Sequence, residues 1–290
     1  MVNKDRGFQF AANAIMMLIA LCAVIPFILL FMSSITDEAV LLTNGYSFFP
    51  AKISFYAYEY LFKDTGSLLN AYRISFLVTA LGTAGSLLLT VLFAYPLSCR
   101  TLPGRGLFSF FLFFTMLFNG GLVPSYIMWT QTFHIRNTIW ALMIPDLLLG
   151  AFNVIMMRTY FTTNIPDSVI EAARIEGANE FRILGEVVLP MALPITATVG
   201  ILVGLNYWNN WTNGLYYITN TRLYSLQQYL KSIIDNVQAL ATMDIGFAGE
   251  VPSISIRMAI AVVGTVPILV LYPFFQKAFV AGIALGGVKE

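Results

Sequence analysis

From Gly7 to Thr36 the chain carries no charged side chain, and the same is true from Ile74 to Cys99 and from Gly106 to Ile135. About 20 mostly apolar residues suffice for a helix to cross the hydrocarbon core of a bilayer, where every backbone N–H and C=O must find its partner within the segment. Uncharged runs of this length leave little choice but membrane-spanning helices. Composition agrees. Hydrophobic residues are 58% of the 290 and charged residues 11%, where a soluble domain has about 25% charged. The net charge of +1 gives no field for nucleic acid, so membrane lipid is the expected surrounding. The fold class expected is an all-α membrane protein.

Six windows fit spans, near 10–34, 74–97, 107–130, 138–157, 188–207 and 256–276, with Pro145-Asp146 interrupting the fourth and Pro190 at the start of the fifth. The first follows Lys4 and Arg6 as a signal peptide would. It is too long and lacks a small-x-small cleavage site, so it reads as a retained helix. Six spans put both termini on one side. With that side cytoplasmic, the inner segments 1–9, 98–106, 158–190 and 277–290 hold nine of the sixteen Lys and Arg, at about twice the outer density, as the positive-inside rule requires. Thr79, Gly82, Thr83, Gly85 and Ser86 on the second span, and Gly200 and Gly204 on the fifth, offer small faces for close helix packing in lipid.

The inner segment 164–190 is too charged to insert and too regular for a linker. Pro166 and Asp167 suit a helix start. Gly177 suits a helix end in the left-handed conformation. Asn179 can cap a second helix running to Leu189-Pro190. The expectation is a helix–glycine–helix elbow outside the membrane.

Glu171-Ala172-Ala173, then Gly177, Val187 and Leu189-Pro190 resemble the EAA loop of ABC importer permeases, with Val in place of a frequent Ile. Gly121 to Tyr126, Tyr207 to Trp211, Tyr224 to Gln228, and Phe275 to Val280 with Gly286 to Lys289 are similar to carbohydrate-type members. They look most like the second permease of maltose and polysaccharide importers, on the polysaccharide and alginate side. The resemblance implies a six-span type I importer permease in a bacterial inner membrane, whose elbow is the coupling helix. It implies a second homologous permease, two cytoplasmic ATPases and an extracytoplasmic solute-binding protein as partners. In the ATPase cleft Glu171 would meet a basic group, while Ala172, Ala173 and Gly177 would allow close approach.

These residues contain no GxxxxGK[ST] phosphate loop and no catalytic constellation. The chain is expected to bind no cofactor and to be no enzyme by itself, ATP and Mg²⁺ being used by the partner ATPases. His134 has no fixed-spacing partner. Cys22 and Cys99 read as small buried hydrophobes.

Substrate contact is expected at two places. Asp146, the acid inside a span, should face a cavity, because a carboxylate in lipid costs about 2.5–3.5 kcal/mol. Asn153, two helical turns on, would share its face. Asn206, Tyr207, Trp208, Asn209, Asn210 and Trp211 combine aromatic faces with amides, the groups that hold sugars; an interfacial aromatic belt has the same composition. The leading reading is an importer subunit for an oligosaccharide or polysaccharide, an acidic one such as alginate included. The alternative is a stand-alone secondary transporter or channel, for which paired broken halves and midplane acids would be expected.

Overall fold

A computed structural model of the chain describes residues 6–242 and 253–287. Its regular structure is helical, with an isolated antiparallel bridge between Thr36 and Ile53 and no strand among the described residues. In chain order the helices are α1 (Arg6–Ser34), α2 (Glu38–Asn44), α3 (Tyr56–Phe62), α4 (Thr65–Ser98), α5 (Arg105–Leu117), α6 (Leu122–Ile127), α7 (Trp140–Met143), α8 (Ala151–Asn164), α9 (Asp167–Ile175), α10 (Glu180–Arg182), α11 (Leu189–Met191), α12 (Leu193–Asn209), α13 (Thr212–Tyr217), α14 (Leu226–Thr242) and α15 (Ser253–Gly287). The chain divides into two units, residues 1–68 with 230–268 and residues 69–229 with 269–290. The side chains of the C-terminal signature at 275–289 lie outside the described residues.

In the first unit α1 is apolar all round and none of its most apolar stretch is buried, as expected of a helix whose solvent is lipid. Cys22 is therefore exposed rather than buried. Asp37 accepts from the Ala39 amide at 3.1 Å to cap α2 and pairs with Lys52 at 2.8 Å. Glu38 caps the start of α15: its carboxylate accepts from the amides of Ile254 and Ser255, each at 2.8 Å, and from the Ser255 hydroxyl at 2.7 Å.

In the second unit α4 and α12 run antiparallel through the two small-residue faces. Gly82 meets the Tyr207 ring, Thr83 lies against Gly204 and Leu87 against Gly200. A Cβ at Gly82 would stand 2.5 Å from two ring carbons of Tyr207, so only glycine lets the ring lie there. Around this contact the core gathers Val78, Val91, Val154, Met157, Val199 and Val203.

The helices depart from straight spans in specific ways. α4 starts at Thr65 rather than near 74, because the Asp64 carboxylate accepts from the Ser67 amide at 3.1 Å and caps it. Arg73 marked the end of an apolar window, not of a helix. The expected span near 107–130 bends by 112° between Leu117 and Leu122. There Asn119 accepts from the Gly121 amide at 2.8 Å and Gly121 has φ +88°. The expected span near 138–157 is broken between α7 and α8, with Asp146 in the left-handed region at φ +60°. The fifth turns by 84° at Ala192, flanked by Pro190 and Pro194, which supply no amide to either helix. By length and apolarity, α1 and α4 each suffice to cross a bilayer. Counting each bent pair as one span gives up to four among the described residues.

Candidate functional site

The elbow forms as a helix, a left-handed glycine and a second helix. Pro166 precedes α9 in extended conformation, and Asp167 is the first helical residue rather than a side-chain cap. At the far end the Gly177 amide donates to the Arg174 carbonyl and the Ala178 amide to the Ala173 carbonyl, both at 3.0 Å. This pair of bonds is the Schellman closure, and it needs the φ of +83° found at Gly177. No atom lies within 4 Å of where a Gly177 Cβ would be, so within this chain glycine is required by the backbone alone. Asn179 then accepts from the Arg182 amide at 2.9 Å and opens α10. The second helix widens to a π turn over Ile183–Val188 before α11 carries Leu189 and Pro190, a feature not read from the sequence.

Glu171, Ala172, Gly177 and Pro190 are exposed, while Ala173 and Leu189 are half-buried. Glu171 makes no hydrogen bond or ion pair among the described residues. Sequence reasoning missed two apolar neighbours, Ile175 and Phe181, which are 87% and 81% exposed on either side of Gly177. Both stand in an otherwise charged segment; their signal in the sequence was their place beside the turn.

The elbow is tied back to the membrane helices by polar contacts. The Glu180 carboxylate accepts from the Tyr95 hydroxyl at 2.5 Å and from Arg174 Nε at 2.9 Å. These two bonds, Arg174's first, hold Glu180 below the ordinary carboxylate range. Two residues on, the Leu97 carbonyl near the end of α4 accepts from Arg105 Nε at 2.9 Å and Arg158 Nε at 3.1 Å. Cations at a helix C-terminus match its partial negative charge.

The substrate-contact candidates separate into two groups. Tyr207 and Trp208 are buried: the Tyr207 hydroxyl donates to the Met143 carbonyl at 2.8 Å, and Trp208 meets Phe76 edge-on at 5.2 Å. The side-chain amide of buried Asn213 donates to the Pro145 carbonyl at 2.9 Å. Carbonyls released by the break after α7 are thus answered by side chains of α12 and α13, not by a lumen. Asn210 is half-buried and accepts from the Asn213 amide at 3.1 Å. Asn206, Asn209 and Trp211 are exposed. Asp146 is exposed and Asn153 half-buried, but the helix is broken between them, so they do not share one helical stripe as the spacing implied. A recess of about 580 Å³ between α4, α5 and α8 is lined by Leu92, Phe93, Pro96, Phe108, Phe111 and Leu149 among others. Its apolar walls suit hydrocarbon, not a hydroxylated ligand.

The chain belongs to the family of binding-protein-dependent transport system inner membrane components, whose model matches residues 86–285. It is 34% identical to the polygalacturonan/rhamnogalacturonan transport system permease protein YtcP of Bacillus subtilis (strain 168), over 99% of each chain. It is 32% identical to protein LplC of the same organism, over 100% of this chain and 98% of the other. Among solved structures it resembles a chain of a bacterial ABC transporter involved in import of the acidic polysaccharide alginate, with a TM-score of 0.78 and 31% identity over 96% of this chain and 99% of that one. The fold is that of a type I ABC importer permease.

Proposed function

We propose that the chain is one permease subunit of an ATP-driven, binding-protein-dependent importer and forms half of a translocation path for an acidic oligosaccharide or polysaccharide. The observation that carries the importer reading is the elbow, with Ile175 and Phe181 exposed beside a Gly177 turn, in a chain of this family. The family match favours it over a stand-alone secondary transporter or channel. The acidic cargo is inferred from relatives named for polygalacturonan and for alginate, both polymers of uronic acids.

In this reading the chain crosses the inner membrane six times with both termini cytoplasmic. It pairs with a second homologous permease, two ATPases at the elbows and a solute-binding protein outside. It carries no catalytic group of its own; ATP and Mg²⁺ act on the partner ATPases. Glu171 meets a cationic group in the ATPase cleft, and Asn206, Asn209, Trp211 and Asp146 are the exposed outer groups available to a sugar.

The test is uptake of radiolabelled oligogalacturonides, with neutral arabino-oligosaccharides as comparison, in cells with and without this gene. Loss of the acidic sugar alone is expected. Unchanged uptake of both would overturn the cargo assignment.

A further inference from the structure

Glu180 stands just past the Gly177 turn and joins three elements through one carboxylate. Its Oε2 accepts from Tyr95 on α4 and its Oε1 from Arg174 on α9, while Glu180 itself opens α10. The Tyr95 ring is buried, so the hydroxyl sits at the end of a rigid arm fixed in the core. Apart from this carboxylate, α9 is held by the Gly177 turn, whose backbone is the most permissive in the segment, and by half-buried Ile170 and Ala173 packed against the core. Of the elbow's two other ion pairs, Arg182 with Glu186 at 2.8 Å lies within one stretch of helix, and Asp167 at the start of α9 meets Arg100, just past α4, at 4.0 Å with both side chains exposed, where an ion pair contributes little. The inner end of α4 is also gathered to α5 and α8 where Arg105 and Arg158 meet the Leu97 carbonyl, and further along α4 Gly82 receives the Tyr207 ring of α12.

We propose that Tyr95, Glu180 and Arg174 form a latch that makes the elbow and α4 move as one body when the ATPase displaces the elbow. The proposal rests on the importer reading. It makes these three positioning residues: they touch no sugar and no nucleotide, and act by passing the elbow's displacement to α4 and from there to α12. Packed elements joined at both ends shift as units rather than deform.

The test uses the whole importer in lipid nanodiscs, with spin labels introduced as unnatural amino acids at Leu88 on α4 and Ser168 on α9, both exposed. Distances between labels are measured before and after a non-hydrolysable ATP analogue with Mg²⁺. With the latch intact, and equally in Glu186→Gln, the expected distribution is narrow and shifts by less than about 1 Å. In Tyr95→Phe and Glu180→Gln it should broaden and shift by about 2 Å or more, on the scale of interface helix shifts. The double variant should behave like Glu180→Gln alone, because Tyr95→Phe then removes a link already broken. Variants that keep the wild-type distances overturn the latch, as does a wild-type distance that itself shifts by 2 Å. A permease pair that retains no ATPase overturns the importer reading, and the latch with it.

Discussion

Gly82→Ala tests the α4–α12 packing at its tightest point. The new methyl carbon would stand 2.5 Å from the Tyr207 Cε1 and Cζ and 2.9 Å from Cδ1, so the ring must move. Overpacking of this kind costs about 1–3 kcal/mol. Moving the ring also withdraws its hydroxyl from the Met143 carbonyl, now 2.8 Å away, and leaving a buried carbonyl unanswered costs a further 1–3 kcal/mol or so. Alanine returns about 0.5–1 kcal/mol of helix preference. The net loss centres near 3 kcal/mol, or roughly 5 °C in melting temperature for a chain of 290 residues at about 2.1 cal/mol/K of unfolding entropy per residue. The assay is thermal unfolding of the purified importer in mild detergent. Gly85→Ala is the control, since the nearest atom to its added Cβ is Leu148 Cδ1 at 3.5 Å, and it should be neutral or mildly stabilising. A Gly82→Ala protein that melts with the wild type would refute the packing argument. So would an equal loss from Gly85→Ala.

Three further outcomes follow from the geometry. Gly177→Val should weaken the elbow by about 1–2 kcal/mol or more, because a left-handed residue with a Cβ is strained, whereas Gly177→Asn should recover much of it; proteolysis rates at the 175–179 turn read the difference. Glu38→Ala should loosen the start of α15, which loses three hydrogen bonds to one carboxylate, and amide exchange at Ile254 and Ser255 should rise at least tenfold for a loss of about 1.5–3 kcal/mol. The latch should also respond to acid. Arg174 and then Tyr95 hold Glu180 below its ordinary 4.5, so the stabilisation is complete above that value and is lost as pH falls through the lowered one. Label distances should therefore stay constant from neutral pH down to about 5 and broaden only as the pH falls beneath the ordinary carboxylate range in the wild type, while Glu180→Gln should be broad throughout.

The elbow was legible because its information is local. Pro166, Gly177 and Asn179 each act within four residues, through turn and cap bonds that a sequence displays directly. The small faces at 79–86 and 200–204 were legible as faces too, and the structure adds that they meet each other. The latch was not legible. Tyr95 and Glu180 are 85 positions apart, and nothing in the residues between them announces the pairing. The roles of Tyr207 and Asn213 were hidden for the same reason. An aromatic–amide segment has one composition whether it faces sugar or repairs a helix break, and the bonds to the Met143 and Pro145 carbonyls are long-range contacts that composition does not display. Asp146 and Asn153 show the limit of periodicity: seven residues make two turns only where the helix continues, and here it stops at Met143, ahead of the left-handed Asp146.

The central claim, that residues 164–190 couple this membrane chain to an ATPase, is tested most directly by purifying the tagged chain from its native membrane in mild detergent. ATP hydrolysis and bound proteins are then measured in the wild type and in Glu171→Lys and Phe181→Asp. A stoichiometric ATPase and a second permease should accompany the wild type, and the ATPase alone should be lost from both variants. A wild-type chain that purifies without an ATPase, or variants that keep theirs, would contradict the account.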